Sequence, residues 1–238
     1  MSRLLARLRD EEDGMTLVEL LTAMLIGMVL LFATFFLLDS TVKSQKRTEQ
    51  RMQSVTRGRA AIEDLTRQLR AQVCLGPGAP PVVEALPNSI TFYTAVNAPT
   101  GGDIDYERRT LTWTATSGGL GRVTEQVFRP TATSPRAPNI AWQTTVSRSR
   151  TVLNDVALDP AAGGAFFRYY RYNADATLQP LTAPVTGADD LRHIVMVDVA
   201  FRAFPNGSTD AKLATDLRGQ AYVRTADPTT PLESPRCL

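Results

Sequence analysis

Across 238 residues the chain holds one histidine and two cysteines, too few for a His-rich metal centre or a disulfide-rich miniprotein. It also lacks an excess of charge of one sign. Lys and Arg number 26 against 24 Asp and Glu, a balance that sets up no general basic field to make nucleic acid the main partner. No Gly-rich phosphate loop, GxSxG elbow, CxxC or HExxH occurs, which excludes the chemistries those motifs carry. Enzymes resting on carboxylates alone stay compatible with this composition. With 43% hydrophobic and 21% charged residues, the chain is neither a disordered tail nor a polytopic membrane protein. Its length suits one sizeable domain with an accessory segment, or at most two small domains.

Proline is absent before Pro77, and 12 of the 15 glycines lie at or after Gly76. The first 75 residues therefore lack nearly every helix breaker, whereas the rest is punctuated every few residues in the manner of strands and turns. This asymmetry predicts an α+β fold, a long N-terminal helix followed by a mostly β head.

What is present at the N-terminus is a long apolar run. Met15–Leu38 reads MTLVELLTAMLIGMVLLFATFFLL with Glu19 as its one charge, and as a helix it reaches roughly 36 Å, enough to cross a hydrocarbon core of about 30 Å. A cleaved secretory signal has a shorter apolar region ending in a small-x-small site. Here Phe35-Phe36-Leu37-Leu38 runs straight into Asp39, so the segment is expected to be retained. Residues 39–51 are polar, and Val55, Ile62, Leu65, Leu69 and Val73 then mark one apolar stripe at helical spacing. The pattern predicts one continuous helix from about Met15 to Val73, its C-terminal half docked on a sheet. The expected segments are a leader over 1–14, a membrane half over 15–38, an amphipathic half over 39–73 and a β-rich head over 74–238.

Within the head, β-branched and aromatic runs bounded by turn residues predict strands at Ser89–Val96, Thr110–Thr116, Arg122–Phe128, Ile140–Val146, Thr151–Leu158, Phe166–Tyr172, Leu191–Phe204 and Gln220–Arg224. Alternation is clearest over His193–Ala203, which places that strand at the sheet centre. Asn206-Gly207 signals a tight turn. His193 has no nucleophile or metal motif beside it and reads as a strand histidine. Asp103, Asp105, Asp189 and Asp190 fall short of a full calcium ligand set, and no metal site is expected. Arg108-Arg109 and Arg148-Ser149-Arg150 read as solvated strand edges.

Gly14-Met15-Thr16-Leu17-Val18-Glu19-Leu20, behind a short charged leader, holds the residue that needs explaining. A carboxylate inside a membrane helix costs about 2.5–3.5 kcal/mol at the centre, so Glu19 calls for a compensating partner unless it snorkels to the membrane face. The heptapeptide resembles the class III signal of type IV pilins and type II secretion pseudopilins at every position, and with the leader and the apolar run the likeness covers residues 1–38. The resemblance implies cleavage between Gly14 and Met15 by a prepilin peptidase and methylation of the new amine of Met15. It implies that Glu19 pairs with the N-terminal amine of a neighbouring subunit during assembly; Thr16, at the second mature position, also fits. Partners implied in the same way are major and minor pilins or pseudopilins, an inner-membrane assembly platform and membrane lipid, with no cofactor and no enzymatic activity.

The sequence departs from the family pattern in two places. Asp10-Glu11-Glu12-Asp13 stands where many members carry Lys or Arg, and the flanking cations, Arg3, Arg7 and Arg9 against Lys43, Lys46, Arg47 and Arg51, do not set an orientation by themselves. The resemblance sets it, with the leader in the cytoplasm and the head outside. The lack of proline in the N-terminal helix, and the long head, point to a minor pilin or pseudopilin. Segments at Leu65–Ala71, Val152–Val156 with Phe166–Tyr170, and Leu191–Val199 loosely resemble W-type minor pilins and J-type minor pseudopilins. Cys74 and Cys237 would face an oxidising compartment, either as a disulfide closing a loop of about 160 residues or as two buried thiols; the bond would contribute some 4 kcal/mol in the entropy model. A different class also accommodates the sequence: a signal-anchored binding or enzymatic ectodomain that shares only the membrane helix with pilins.

Overall fold

The computed structural model of the protein describes residues 16–76, 79–97, 104–131, 140–233 and 235. By internal contacts they fall into two compact units, one up to Glu49 and one from Gln50 to Leu238. A single helix, α1 (Leu17–Arg70), runs through both.

From Leu17 to Leu38, Glu19 apart, α1 is apolar on all sides, a surface that only lipid or another chain would solvate favourably. Its side chains from Leu17 to Leu38 are broadly exposed, Phe36 to 80%. An 18-residue window there has a mean hydropathy of 2.5 and none of it is buried. This helix is long and apolar enough to span a membrane, compatible with a single-pass protein.

The second unit is the C-terminal part of α1 laid on one antiparallel sheet. Among the described residues nine strands make it: β1 (Val82–Ala85), β2 (Ser89–Asn97), β3 (Ile104–Ala115), β4 (Gly121–Phe128), β5 (Arg148–Leu158), β6 (Phe167–Tyr172), β7 (Leu178–Leu181), β8 (Met196–Ala203) and β9 (Thr215–Tyr222). The order is β1-β2-β3-β4-β5-β8-β6-β7, with β9 on the other side of β8. β8 has three partners: β9 along its full length on one edge, and β5 at Phe201–Ala203 with β6 at Met196–Val199 sharing the other. It is the central strand, as its alternation predicts, and it is buried on both faces.

Helix and sheet approach closely because the helix presents small residues. The docked row is Ser54, Gly58, Ala61, Leu65, Gln68 and Leu69. A Cβ on Gly58 would fall 2.0 Å from Leu217 Cδ1, and one on Gly219 of β9 would fall 2.7 Å from Ile62 Cγ2. Leu65 and Leu69 pack into a core with Phe92, Phe166, Phe167 and Phe201, where each buried leucine contributes roughly 1.5–3 kcal/mol. Val55 and Ile62 of the expected stripe sit at its flank, half-buried.

Several expected elements differ. α1 stops at Arg70, short of Val73, because Gln72 bridges Thr94 and the Val73 N–H donates to the Tyr93 carbonyl at 3.0 Å. The chain has already joined the sheet there. Ile140–Val146 is not a strand; its ordered feature is one bridge, Pro130 to Trp142, with Trp142 stacked on Tyr93 at 5.3 Å. Leu191–Val195 is also not strand, since Ala188–Arg192 forms a short helix, α2, with acidic residues in its first turn and Arg192 in its last. β3 begins before Thr110, and the last strand lies earlier than Gln220–Arg224. β1 and β7, four residues each, were not expected. The Asn206-Gly207 turn is present, with Gly207 at φ 70° and the Ser208 N–H donating to the Pro205 carbonyl.

Candidate functional site: the N-terminus of the long helix and its docking to the sheet

Thr16 is the residue from which α1 starts. Its hydroxyl oxygen accepts the Glu19 N–H at 3.3 Å, and its carbonyl accepts the N–H groups of Glu19 (3.0 Å) and Leu20 (3.1 Å). That is an N-cap with an acidic residue three positions on, the spacing of a capping box. Near the helix N-terminus a carboxylate is favoured by the macrodipole, typically by 0.3–1 kcal/mol. The Glu19 side chain is exposed, and among the described residues no cation lies against it. Gly14 and Met15, the expected cleavage pair, lie outside the described residues.

At its other end α1 is held by a chain of charges that sequence spacing does not reveal. Asp64 accepts from Arg67 (2.5 Å), Gln68 (3.0 Å) and, across to the sheet, Arg150 of β5 (2.6 Å). The Arg150 guanidinium also bonds Glu125 of β4, a fully buried carboxylate that receives Arg109 of β3 at 3.1 Å, and Arg109 reaches Glu107 at 2.6 Å. Burial alone would raise the Asp64 pKa, but the hydrogen bonds from Arg67, Arg150 and Gln68 outweigh it and leave it lowered. Burial opposes the Arg150 charge, and bonds to Glu125 and Asp64 overcome it and raise its pKa. Arg57 adds a bond to the Phe204 carbonyl (3.0 Å), and Arg70 one to the Gln220 carbonyl (3.5 Å). On the sheet face away from α1, fully buried Asp198 is paired by Arg168 (2.5 Å) and Arg218 (2.8 Å).

The other residues weighed in the sequence fall in these places. His193 caps the short helix rather than sitting in a strand, its Nδ1 lying 2.7 Å from the Asp189 carbonyl. Asp190 pairs with Arg171 at 2.8 Å. Asp103 lies outside the described residues, and among those described no group of three His, Cys, Asp or Glu is placed to hold a metal ion. Arg109 is not solvated, being spent on Glu107 and Glu125, and Arg108 lies over the Phe128 ring at 4.6 Å, whereas Arg148 and Arg150 are exposed on β5 as expected, Arg150 also pairing with Glu125 and Asp64. Cys74, half-buried just past α1, is not a free thiol; Cys237 lies outside the described residues. Open cavities lie beside His193, lined by Tyr172 and Asp189 among others, and between α1 and β5, lined by Asp64, Arg150 and Thr151.

A long apolar N-terminal helix leading into an antiparallel sheet fits a pilin-like architecture. No family model matches the chain, and no curated protein or solved structure matches it either.

Proposed function

We propose that the chain is a minor pilin or pseudopilin, a subunit that enters a type IV pilus or type II secretion filament and acts in its initiation or tip complex. The observation that carries this reading is a carboxylate in the first turn of a helix with an otherwise uncharged apolar span. Glu19 lies five residues after Gly14 in a heptapeptide that resembles the pilin signal at every position, and its described surroundings supply no cation. A buried or lipid-facing carboxylate needs a charge partner. The methylated amine of a neighbouring subunit's first mature residue would be one, while the Thr16 cap and the helix dipole keep the carboxylate tolerable before assembly. The anchor would then sit in the cytoplasmic membrane with the head outside, and after processing the protein would meet its assembly platform and the other subunits.

The experiment is intact-mass and N-terminal analysis of the protein recovered from the membranes of cells that hold a prepilin peptidase. Loss of residues 1–14 with one added methyl group on Met15 is expected. An intact leader on protein that still performs its cellular role would overturn the proposal.

A further inference from the structure

Among the described strands the sheet ends in three places and its central strands leave a fourth stretch open, and these edges are not treated alike. β1 is four residues with a register shift between Val82 and Glu84, and β7 is four residues with Pro180 inside it. The stretch of β5 that runs past β8 is broken by two register shifts and by Asp155 at φ 56°. Short length, bulges and proline are how edges are kept from pairing with other chains. β9 has none of these: eight residues pair with β8 in unbroken register from Thr215 to Tyr222, and no described strand lies on its outer side.

Its charges do not guard it either, because they are turned onto β8. Asp216 is bonded to Arg202 at 2.6 Å and Arg218 to Asp198 at 2.8 Å. In an antiparallel ladder every second residue points its N–H and C=O away from the partner. The Gln220 carbonyl meets Arg70 on the outer side, so the outward set is Asp216, Arg218, Gln220 and Tyr222. Above β9, α1 sets Ile62 and Thr66 against Gly219 and Arg70 on the Gln220 carbonyl; at helical spacing the same flank of α1 carries half-buried Val55 and exposed Arg59.

We propose that the outer edge of β9 receives an extended segment of another chain as a tenth strand, with apolar residues at alternate positions toward Val55, Ile62 and Thr66 and acidic residues at its ends toward Arg59 and Arg70. The backbone supplies the hydrogen bonds and the roof of α1 selects the side chains. A second copy's β9 is not the occupant. α1 lies directly on Gly219, and two helices of about 10 Å diameter cannot ride on strands about 4.8 Å apart. This inference goes beyond the proposed function and holds for the isolated chain, whether or not the leader is cleaved.

The test uses the full chain in detergent micelles and a labelled synthetic peptide, Asp-Ser-Val-Ser-Val-Ser-Asp, whose valines and terminal acids share one face of an extended strand. Saturable binding is expected, with amide exchange slowed over Thr215–Tyr222, and a version ending in Lys at both ends should bind at least about fivefold more weakly. Gln220→Pro removes an outward N–H while sparing the β8 ladder, and should weaken binding at least about tenfold. Should that variant misfold, the double change Arg59→Glu with Arg70→Glu, on exposed side chains, should produce a comparable loss. No saturable binding up to about 1 mM, binding that leaves β9 exchange unchanged, or equal binding by the Lys-ended peptide would overturn the proposal.

Discussion

Gly121 opens β4 where the strand passes beneath the Trp113 indole. A Cβ there would lie 2.5 Å from Trp113 Cε2 and 2.7 Å from the Thr114 carbonyl oxygen, and the indole cannot swing aside without giving up its Nε1–H bond to the Val156 carbonyl at 3.3 Å. One methyl group therefore strains a ring, a backbone carbonyl and the β4–β5 ladder together. Gly121→Ala is expected to destabilise the head by about 1–3 kcal/mol, the usual range for overpacking, read as a lower denaturant midpoint with unchanged slope. Gly58→Ala should cost less. Its close neighbour is the tip of a leucine, which can rotate away. Glu125 and Asp198 differ again: each is a fully buried carboxylate with two guanidinium partners, so removing either acid would leave arginines uncompensated rather than simply lose a contact.

At the level of elements, the Asp64–Arg150 bond joins helix to sheet, and its acid titrates. Asp64 has a lowered pKa in the folded protein, so its contribution is fully present above the unfolded value near 3.9 and is lost as pH falls through the folded one. Thermal melts of the protein and of Asp64→Asn should therefore converge as pH drops below about 4 and stand apart above about 5; curves equally spaced across that range would remove Asp64 from the clamp. The helix itself was legible from the missing prolines and the apolar run, and so were Leu65 and Leu69. The upper half of the docked row was not, because Ser54, Gly58 and Ala61 carry no hydrophobic signal; they are chosen for being small. The charge chain was equally hidden, since Asp64, Arg109, Glu125 and Arg150 come from four elements that only the sheet order brings together. His193 and the Leu191–Val195 run misled for a related reason. Local residue types suited a strand, while the acidic first turn at Asp189-Asp190 favoured one turn of helix ahead of β8. Thr16 and Glu19 stand out through the pilin-like heptapeptide and not as a cap and its acid, although that local spacing needs no tertiary contact.

For the whole molecule, the boundary between the two compact units falls at Glu49 and Gln50, within the polar stretch that follows the apolar span. A chain beginning at Lys43 keeps the entire docked row and should be soluble, melting cooperatively at the midpoint of the full-length head. One beginning at Val73 loses Leu65 and Leu69, 0% and 1% exposed, and so roughly 3–6 kcal/mol of burial, a large share of the 5–15 kcal/mol typical of a domain. Identical melting of the two truncations would show that the sheet does not need its helix. The spread of the helix's tethers also has a mechanical side. Arg57 holds the Phe204 carbonyl just after β8, Asp64 holds β5 and Arg70 holds β9. These attachments are set one after another along the length of α1, beneath a row of interlocked small side chains. A pull directed along the helix axis loads them side by side, in shear, and does not peel them one at a time, so the head yields only when the whole seam slips.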